Sequence, residues 1–495
     1  MPDHAGGKQS GLFGGVFARG GAETGDAAWL QAMLDAEAGL ARALERAGMA
    51  PRGAGAEVTE AAKAGNFDID ELGQRAALTG NPVPGLARAL ARSVSGSAAK
   101  AVHQGATSQD IVDTAAMLLA RQAIDATRAD LDQAADDAAS LADTHRGTLM
   151  IGRTLLQQAV PVTFGVVAAG WLAGLDAAAA GLAAAREDRL AVQFGGAAGT
   201  LASLGGNGTR VAALFAEELG LPLPPLPWHT ERLRVIDVAT AMARVAAALG
   251  KIARDVTLLA QTEVGEVSEG AADNSKMPGG SAGGPPGSSA PRRGGSSAMP
   301  NKNNPVASIA ILGCARQVPG NLATLVASAE QEHQRAAGAW HAEWQPFSDV
   351  LRLAASAAAW GKELLARLDV DTARMAANLA AAGGLPLAEH VTALLASTLG
   401  PPQAHDVVAS AAARAAASGL PLRDVLLATP QLEQRLNDAG ITAEQIEAAL
   451  DPAGYLGSSE EFITRALESH RARAAADDNS KKQGAETSKQ RERTR

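Results

Sequence analysis

The hydrophobic residues of this chain recur mainly every three to four positions, the spacing of an α-helix that buries one face. The pattern is clearest between residues 230 and 267, where six large apolar side chains form one seam: Met242, Val245, Leu249, Ile252, Val256 and Leu259. The same spacing predicts long helices at about 108–146 and 158–190, and again at about 306–333 and 346–368. Five long helices of this kind predict an all-α fold with a central five-helix bundle.

Breaks in the pattern divide the chain into three predicted helical domains and a tail. We expect an N-terminal helical domain in residues 1–102 and the long bundle in residues 103–368. Inside the bundle, residues 268–294 are rich in glycine, serine and proline, a composition that cannot bury a core and predicts a flexible loop. Residues 369–473 predict a smaller C-terminal helical domain, and the charged, polar residues 474–495 predict a disordered tail.

Composition narrows the class of protein. The 495 residues are 46% hydrophobic but only 3% aromatic. Because alanine supplies much of the apolar surface, closely packed helices are favoured over a β-sandwich. The net charge of −9 argues against a general nucleic-acid-binding protein. The single cysteine, Cys314, excludes an intramolecular disulfide and a cysteine metal cluster, and we expect it in the core.

Membrane and secretory signals are not predicted. The sequence has no run of about 18 uncharged apolar residues. Residues 1–4 lack the basic start and apolar stretch of a secretory signal. We therefore expect a cytoplasmic protein that does not span a membrane.

The densest chemistry lies in residues 294–305, Gly-Gly-Ser-Ser-Ala-Met-Pro-Asn-Lys-Asn-Asn-Pro. Its glycines permit backbone conformations closed to other residues, and Asn304 and Pro305 predict the N-cap and first residue of a helix. The ammonium of Lys302 and the free N–H groups of that helix would then converge on one anion. Such an anion forms when a proton leaves a carbon next to a carboxylate. For this composition alone, a flexible linker is the alternative.

Two further segments place polar residues at predicted helix ends. Thr107 and Asp110 have the spacing of a capping box, with Asp in place of Glu or Gln, so residues 103–115 predict at least a well-capped helix start. Glu263 and Glu266 continue the apolar seam of the clearest helix. That position indicates either a bundle end that faces a polar cavity or a solvated helix end.

The pattern G-S-S-x-M-P-x-K-x-N-P resembles the signature of the fumarase/aspartase superfamily. Its members release fumarate by β-elimination, or catalyse related additions, without a cofactor or a metal. The resemblance makes Ser296 the catalytic base. It assigns to Lys302 and Asn304 the task of holding the substrate carboxylate as this becomes an aci-carboxylate. Ser297 and Met299 of the same motif are assigned to substrate binding.

A second motif of the superfamily matches the predicted helix start near residue 108. The superfamily binds a substrate carboxylate with a T-S-x-D segment, which assigns substrate binding to Thr107 and Ser108. Related lyases have an active-site histidine at the position of His103. The resemblance therefore makes His103 a candidate catalytic residue.

A third motif departs from the superfamily at one position. Residues 152–163 resemble its T-H-x-Q-x-A-x-P-x-T segment, but Leu155 stands where adenylosuccinate lyases and fumarases have histidine. Thr154 and Gln157 remain candidate substrate contacts. Without the resemblance, the same residues predict only a loop that enters a helix near Pro161.

Several segments are similar to bacterial 3-carboxy-cis,cis-muconate cycloisomerases, a branch of the superfamily that also lacks this histidine. These segments are residues 25–34, 103–115, 152–163, 261–270 and 454–457. The resemblance implies interconversion of 3-carboxy-cis,cis-muconate, a small tricarboxylate, and 4-carboxymuconolactone in the protocatechuate branch of the β-ketoadipate pathway. In lactone opening the leaving group is a carboxylate, whose pKa of about 4 lets it depart without a proton. An amine or hydroxide leaving group benefits from a general acid.

The resemblance also implies an assembly. The implied assembly is a homotetramer with a core of twenty helices, five per subunit. Its active sites would be shared between subunits, and residues 268–294 would act as a lid. Two alternatives stay open. One is another lyase of the superfamily, such as adenylosuccinate lyase, which His103 and the T-S-x-D segment also fit. The other is a catalytically silent helical scaffold, although a scaffold has no need of Ser296 beside Lys302.

Overall fold

The computed structural model describes residues 11–270, 294–295, 299, 302–428 and 440–493, with side chains described up to residue 477. The first helices are α1 (Gly14–Phe17), α2 (Asp26–Arg46), α3 (Ala54–Ala61), α4 (Ile69–Thr79), α5 (Val83–Arg92), α6 (Ser108–Thr144), α7 (Phe164–Asp188) and α8 (Gly208–Leu219). They continue with α9 (Leu233–Leu259), α10 (Val306–Ala327), α11 (Ala339–Leu365), α12 (Thr372–Ala381), α13 (Ala388–Leu399), α14 (Pro401–Ser418), α15 (Leu422–Leu427), α16 (Ala443–Ala449) and α17 (Ser459–Arg493). The strands are β1 (Leu149–Thr154), β2 (Gln157–Thr163), β3 (Val267–Glu269) and β4 (Leu368–Val370). The predicted all-α fold is confirmed.

The chain divides into two compact units. Unit 1 comprises Met1–Gln133, Ala177–Ala253 and Ala307–Glu363. Unit 2 comprises Ala134–Asp176, Arg254–Val306 and Leu364–Arg495. The domain boundaries predicted from the sequence stay a prediction.

In unit 1, helix α2 packs against α3 and α8. Its buried face includes Leu34, Leu40 and Leu44, all fully buried. A Cβ atom at Gly39 would come within 2.7 Å of the Leu219 side chain, so glycine is what lets α2 and α8 approach this closely. Small residues thus make the tight helix packing that the alanine-rich composition predicts.

The predicted apolar seam lies on α9, and all six of its residues are buried. The helix ends at Leu259, however, and does not continue to residue 267. In the turn that follows, Gly265 has φ 61°, a left-handed conformation that glycine adopts readily, and the N–H of Glu266 donates to the carbonyl of Leu259. Neither predicted setting of Glu266 is correct, because this residue lies beyond the helix and is fully buried in an ion pair with Arg153.

The helix predicted at 158–190 begins only at Phe164. Residues 157–163 form β2, which pairs antiparallel with β1, so that Met150 faces Val162 and Thr154 faces Gln157. The β-branched Val160, Val162 and Thr163 favour a strand. Pro161, which supplies no backbone donor, is tolerated in a two-stranded ribbon. This hairpin was not predicted, because its apolar residues also fit the start of a helix.

Two other helix limits differ from prediction. Helix α10 ends at Ala327, before the expected residue 333. Helix α11 starts at Ala339 and includes Pro346, where a start was predicted. Pro346 is the eighth residue of α11, beyond the first turn that tolerates proline best, so the helix lacks the backbone hydrogen bond that another residue would donate here. The aromatic residue Trp340 in the first turn is buried and anchors this start by donating a hydrogen bond to Asp113.

The C-terminal part of unit 2 has its own core. Buried residues of α13, α14, α15 and α16 form one cluster, which includes Val391, Leu395, Val408, Leu422, Leu426 and Ile446. Helix α17 continues to Arg493, so it includes most of residues 474–495, for which disorder was predicted. Lysine, glutamine, glutamate and arginine are good helix formers even where no core covers them.

The start of the predicted loop 268–294 also needs correction. Residues 267–269 form β3, which pairs antiparallel with β4. Residues 271–293 lie outside the described residues. The lid predicted for this segment therefore stays a prediction.

Two described helices are long and apolar enough to cross a membrane, judged by length and composition alone: α7 and α10. The pair α12 and Leu385–Leu399, bent by 76°, would make a third candidate. No membrane span was expected, because the sequence has no uninterrupted run of about 18 uncharged apolar residues. Alanine accounts for the difference, because it raises the mean hydropathy without a large apolar side chain. Only 44% of the apolar window of α7 and 28% of that of α10 are buried within the chain.

Candidate active site

His103 lies in the loop before α6, where two bonds hold it to one carboxylate. Its backbone N–H donates to Glu37 Oε2 at 2.9 Å, and its ring Nδ1 lies 2.7 Å from Glu37 Oε1. Glu37 comes from α2 and is fully buried, whereas 25% of the His103 side chain is exposed. His103 also has φ 58°, a left-handed conformation that costs a non-glycine residue about 1–2 kcal/mol. The bonds to Glu37 offset this cost.

Asp110 fixes the same loop from the other side. Its fully buried carboxylate accepts hydrogen bonds from the backbone N–H groups of Thr107 (2.9 Å), Gly195 (3.0 Å) and Gly196 (2.9 Å). The ring Nε2 of His229 lies 2.6 Å from it. The contact with Thr107 is the half of a capping box in which an acidic side chain reaches back to the N-cap backbone. The Asp of the T-S-x-D segment is therefore fully used inside the protein.

The two hydroxyls of that segment remain available. Thr107 and Ser108 are partly exposed, and their side-chain oxygens have no hydrogen-bond partner among the described residues. They stand at the first turn of α6, a 37-residue helix whose unpaired N–H groups favour an anion. This arrangement suits the predicted binding of a carboxylate.

Glycine is required inside the loop. Gly105 has φ 80°, and a Cβ atom there would come within 2.6 Å of the Leu204 side chain. The loop therefore passes too close to residues 202–207 for any other residue to fit without movement.

A buried ion-pair network lies behind the start of α6. Arg232 pairs with Asp113 at 2.7 Å and with Glu343 at 2.5 Å. Burial by itself lowers the pKa of Arg232, but the two carboxylates raise it above its ordinary value. Burial raises the pKa of Glu343. Gln109 connects this network to the Asp110 site, because it donates to both Asp113 and the carbonyl of His229.

The departure at Leu155 lies at the tip of the β1–β2 hairpin. Leu155 and Leu156 occupy the two-residue turn with φ 51° and 65°, and are 96% and 73% exposed. Both central residues of such a turn need positive φ, which asparagine and glycine adopt far more readily than leucine. Thr154 and Gln157 flank the tip, face each other across the strands, and are exposed.

The base of the hairpin is held by a bidentate ion pair. Both terminal nitrogens of Arg153 lie 2.8 Å from the two oxygens of Glu266. Asn378 of α12 also donates to Glu266 Oε1 at 2.8 Å. Glu266 therefore links the hairpin and α12 within unit 2.

The ends of the signature segment are hydrogen-bonded to each other. The carbonyl of Gly294 accepts from both the backbone N–H (2.8 Å) and the side-chain amide (3.0 Å) of Asn304. Gly295 and Asn303 form an antiparallel bridge. Asn304 was predicted to cap the helix, and its side-chain amide instead closes the segment by donating to Gly294. Helix α10 begins at Val306, one residue after the predicted start at Pro305.

Inside this segment, Lys302 is exposed, and its backbone N–H donates to the backbone carbonyl of Met299 at 3.1 Å. Ser296 and Ser297 lie outside the described residues. Of the predicted site residues, His103, Thr107 and Ser108 share one loop in unit 1. Thr154 and Gln157 share one hairpin in unit 2, where Met299, Lys302 and Asn304 belong to the signature segment.

Sequence reasoning missed three residues of this arrangement: Glu37, His229 and Arg232. Glu37 sits within the apolar face of α2, and a carboxylate at such a position was the available signal. In the part of the chain that the structure describes, no group of three or more His, Cys, Asp or Glu residues is placed to hold a metal ion.

Comparison with known proteins places the chain. The model of the lyase family matches residues 22–320, and that of the adenylosuccinate lyase C-terminus matches residues 384–466. A 3-carboxy-cis,cis-muconate cycloisomerase of Bradyrhizobium diazoefficiens is 44% identical over 90% of this chain and 94% of its own. The chain belongs to the lyase family.

Two more comparisons sharpen this result. A nitrosuccinate lyase of Streptomyces davaonensis is 44% identical over 90% of this chain and 91% of its own. The crystal structure of the 3-carboxy-cis,cis-muconate lactonizing enzyme of Pseudomonas putida has a TM-score of 0.82 and 38% identity, covering 94% of this chain and 99% of that one. The similarity thus extends over both units of the fold.

Proposed function

We propose that this protein interconverts 3-carboxy-cis,cis-muconate and 4-carboxymuconolactone. The observation that carries the proposal is Leu155, an exposed side chain that has no proton to give at the position where related lyases have histidine. A carboxylate leaving group needs no general acid, whereas an amine does. The names of relatives that are similar over nearly their whole length support the same reaction.

In the proposed reaction, one substrate carboxylate oxygen adds to the carbon–carbon double bond. The electron pair moves to the carbon next to another carboxylate, giving an aci-carboxylate, and the Ser296 hydroxyl delivers a proton to that carbon. In lactone opening, deprotonated Ser296 removes the same proton and the ring carboxylate leaves. No cofactor or metal is needed for either direction.

The charge of the intermediate is stabilised by Lys302, Asn304 and the start of α10. Preorganised groups of this kind are worth several kcal/mol. Thr107 and Ser108, whose hydroxyls have no partner among the described residues, bind a second carboxylate. Ser297, Met299, Thr154 and Gln157 complete the proposed substrate contacts.

The proposed assembly is a cytoplasmic homotetramer with shared active sites. Helices α7 and α10 support it, because more than half of each apolar window is not fully buried within one chain. A bundle of identical subunits would cover these alanine-rich surfaces. We propose no membrane or nucleic-acid partner for this protein.

Elimination of nitrite from nitrosuccinate is the second candidate function. A relative of that name shares the same 44% identity. Nitrite, like a carboxylate, is a weak base and leaves without a general acid, so Leu155 fits this reaction as well. The products differ: fumarate and nitrite here, a lactone in the first reaction.

The test follows the ultraviolet absorbance of 3-carboxy-cis,cis-muconate with wild-type protein and with Ser296→Ala. We expect loss of the conjugated diene with the wild type and a rate at least about 10²–10⁴-fold lower with the variant. Ser397→Ala, on the exposed face of α13, is the matched control and keeps full activity. No loss of absorbance, together with release of fumarate from nitrosuccinate, would replace the first function by the second.

A further inference from the structure

Glu37 and His103 are joined by two hydrogen bonds, one to each oxygen of the carboxylate. One carboxylate oxygen accepts the backbone N–H of His103 at 2.9 Å, and the other lies 2.7 Å from its ring Nδ1. Because a carboxylate only accepts hydrogen bonds, Nδ1 carries the proton of this contact. The hydrogen bond from the backbone N–H fixes the position of the His103 backbone, and the contact with Nδ1 fixes the orientation of the imidazole ring.

We infer that Glu37 is a positioning residue for His103, which holds the imidazole so that Nε2 is the nitrogen left to meet a carboxylate of the substrate. This inference rests on the proposed function and on His103 as the candidate catalytic residue that the family resemblance assigns, facing the substrate. Glu37 itself is fully buried, so it is not accessible to substrate. Its effect passes entirely through the histidine.

The pair also sets the charge of the loop. Burial alone lowers the pKa of His103, but the hydrogen bond to Glu37 and the charges of Glu37 and Asp110 raise it above its ordinary value. These two carboxylates, from α2 and α6, are the charged groups that act on the ring. His103 therefore keeps its positive charge at a higher pH than a free histidine does. The charge is lost as the pH rises through the raised pKa, so binding of an anionic substrate weakens above it.

The experiment compares the wild type with Glu37→Gln, which keeps the size of the side chain and removes its charge. Selective ¹³C labelling of histidine gives the pKa of His103 by NMR, and His103→Asn assigns its signal. We expect the pKa of His103 to fall by at least about one unit in the variant. At pH 7 the KM for 3-carboxy-cis,cis-muconate should rise about tenfold, the loss of one charge-assisted hydrogen bond, with a smaller change in kcat.

Glu45→Gln is the matched control on the same helix. The Glu45 carboxylate accepts the backbone N–H groups of Gly53 and Gly55, each at 2.8 Å, and no histidine. This variant should leave the His103 pKa and the KM unchanged. Equal shifts in both variants would attribute the effect to α2 as a whole and overturn the inference.

The NMR titration is made without substrate, so it remains decisive even if the proposed reaction fails. An unchanged pKa of His103 in Glu37→Gln overturns the inference, and so does a lowered pKa with an unchanged KM. If Glu37→Gln does not fold, His103→Asn carries the test. That variant should raise the KM about tenfold and abolish its rise with pH. An unaltered KM profile in His103→Asn would also refute the role of the pair.

Discussion

Two segments that carry candidate site residues are built in opposite ways. The loop 103–108 is fixed on both sides by buried carboxylates. Glu37 binds His103 with both of its oxygens, and Asp110 accepts the backbone N–H of Thr107. The hairpin tip 154–157 is fixed only at its base, and its two central leucines point into solvent from strained backbone positions. Contacts within the chain determine the chemical environment of the first segment. The second segment is exposed, so what it contacts depends on its binding partner.

The largest expected effect comes from breaking the fixed loop. Asp110→Ala leaves three backbone N–H groups and His229 without their acceptor, and we expect a loss of about 3–5 kcal/mol in the free energy of unfolding. Urea or thermal denaturation measures it. Asp125 is on the same helix as Asp110 and forms an exposed ion pair with Arg186. Asp125→Ala should therefore cost at most about 1 kcal/mol in the free energy of unfolding. A loss of similar size in both variants would contradict the special role of Asp110.

A smaller effect is expected at the base of the hairpin. Arg153→Met leaves the buried Glu266 with Asn378 but without its cation, at a cost of about 2–3 kcal/mol, since Arg153 is itself partly exposed. Amide exchange in β1 and β2 should speed up more than exchange in α9. Arg465→Met, in an exposed ion pair with Glu461 on α17, serves as control. Uniform exchange across unit 2 would show that the ion pair does not secure the hairpin locally.

The smallest effect should have the opposite sign. Replacing Leu155 by Asn and Leu156 by Gly supplies the residues that this turn favours, and we expect a gain of about 1–2 kcal/mol in stability. Leu226→Gly, another exposed leucine but without positive φ, should give no gain. Higher stability with lower turnover would show that the leucines serve the reaction. Unchanged turnover would leave them without a part in it.

Much of the fold was predictable because its signal is local. The seam of α9 is a single repeated spacing, and all six residues are buried as predicted. The hairpin was not predictable in the same way. Val160, Pro161 and Val162 acquire their strand conformation by pairing with β1, a contact that spacing along the sequence does not reveal. Likewise, the charged composition of residues 474–495 favours solvation, and composition alone does not distinguish a helix from a disordered chain.

The candidate site divides along the same line. Residues grouped in motifs, such as Lys302 and Thr107, were identified because the motif is contiguous in the sequence. Glu37 and His229 were missed, since each reaches its partner from a distant element: Glu37 lies 66 positions from His103, and His229 lies 119 positions from Asp110. Glu266 was noticed as an unusual carboxylate, but its partner Arg153 was not.

Gly105 has a consequence for how mutational scans of this protein are interpreted. A side chain there collides with Leu204, so nearly every substitution will abolish activity, as substitutions of Ser296 should. A screen for turnover alone would rank the two positions together and suggest a chemical role for a residue that has no side chain. Measuring cellular abundance in parallel separates them, because a Ser296 variant should accumulate normally whereas a Gly105 variant should be degraded.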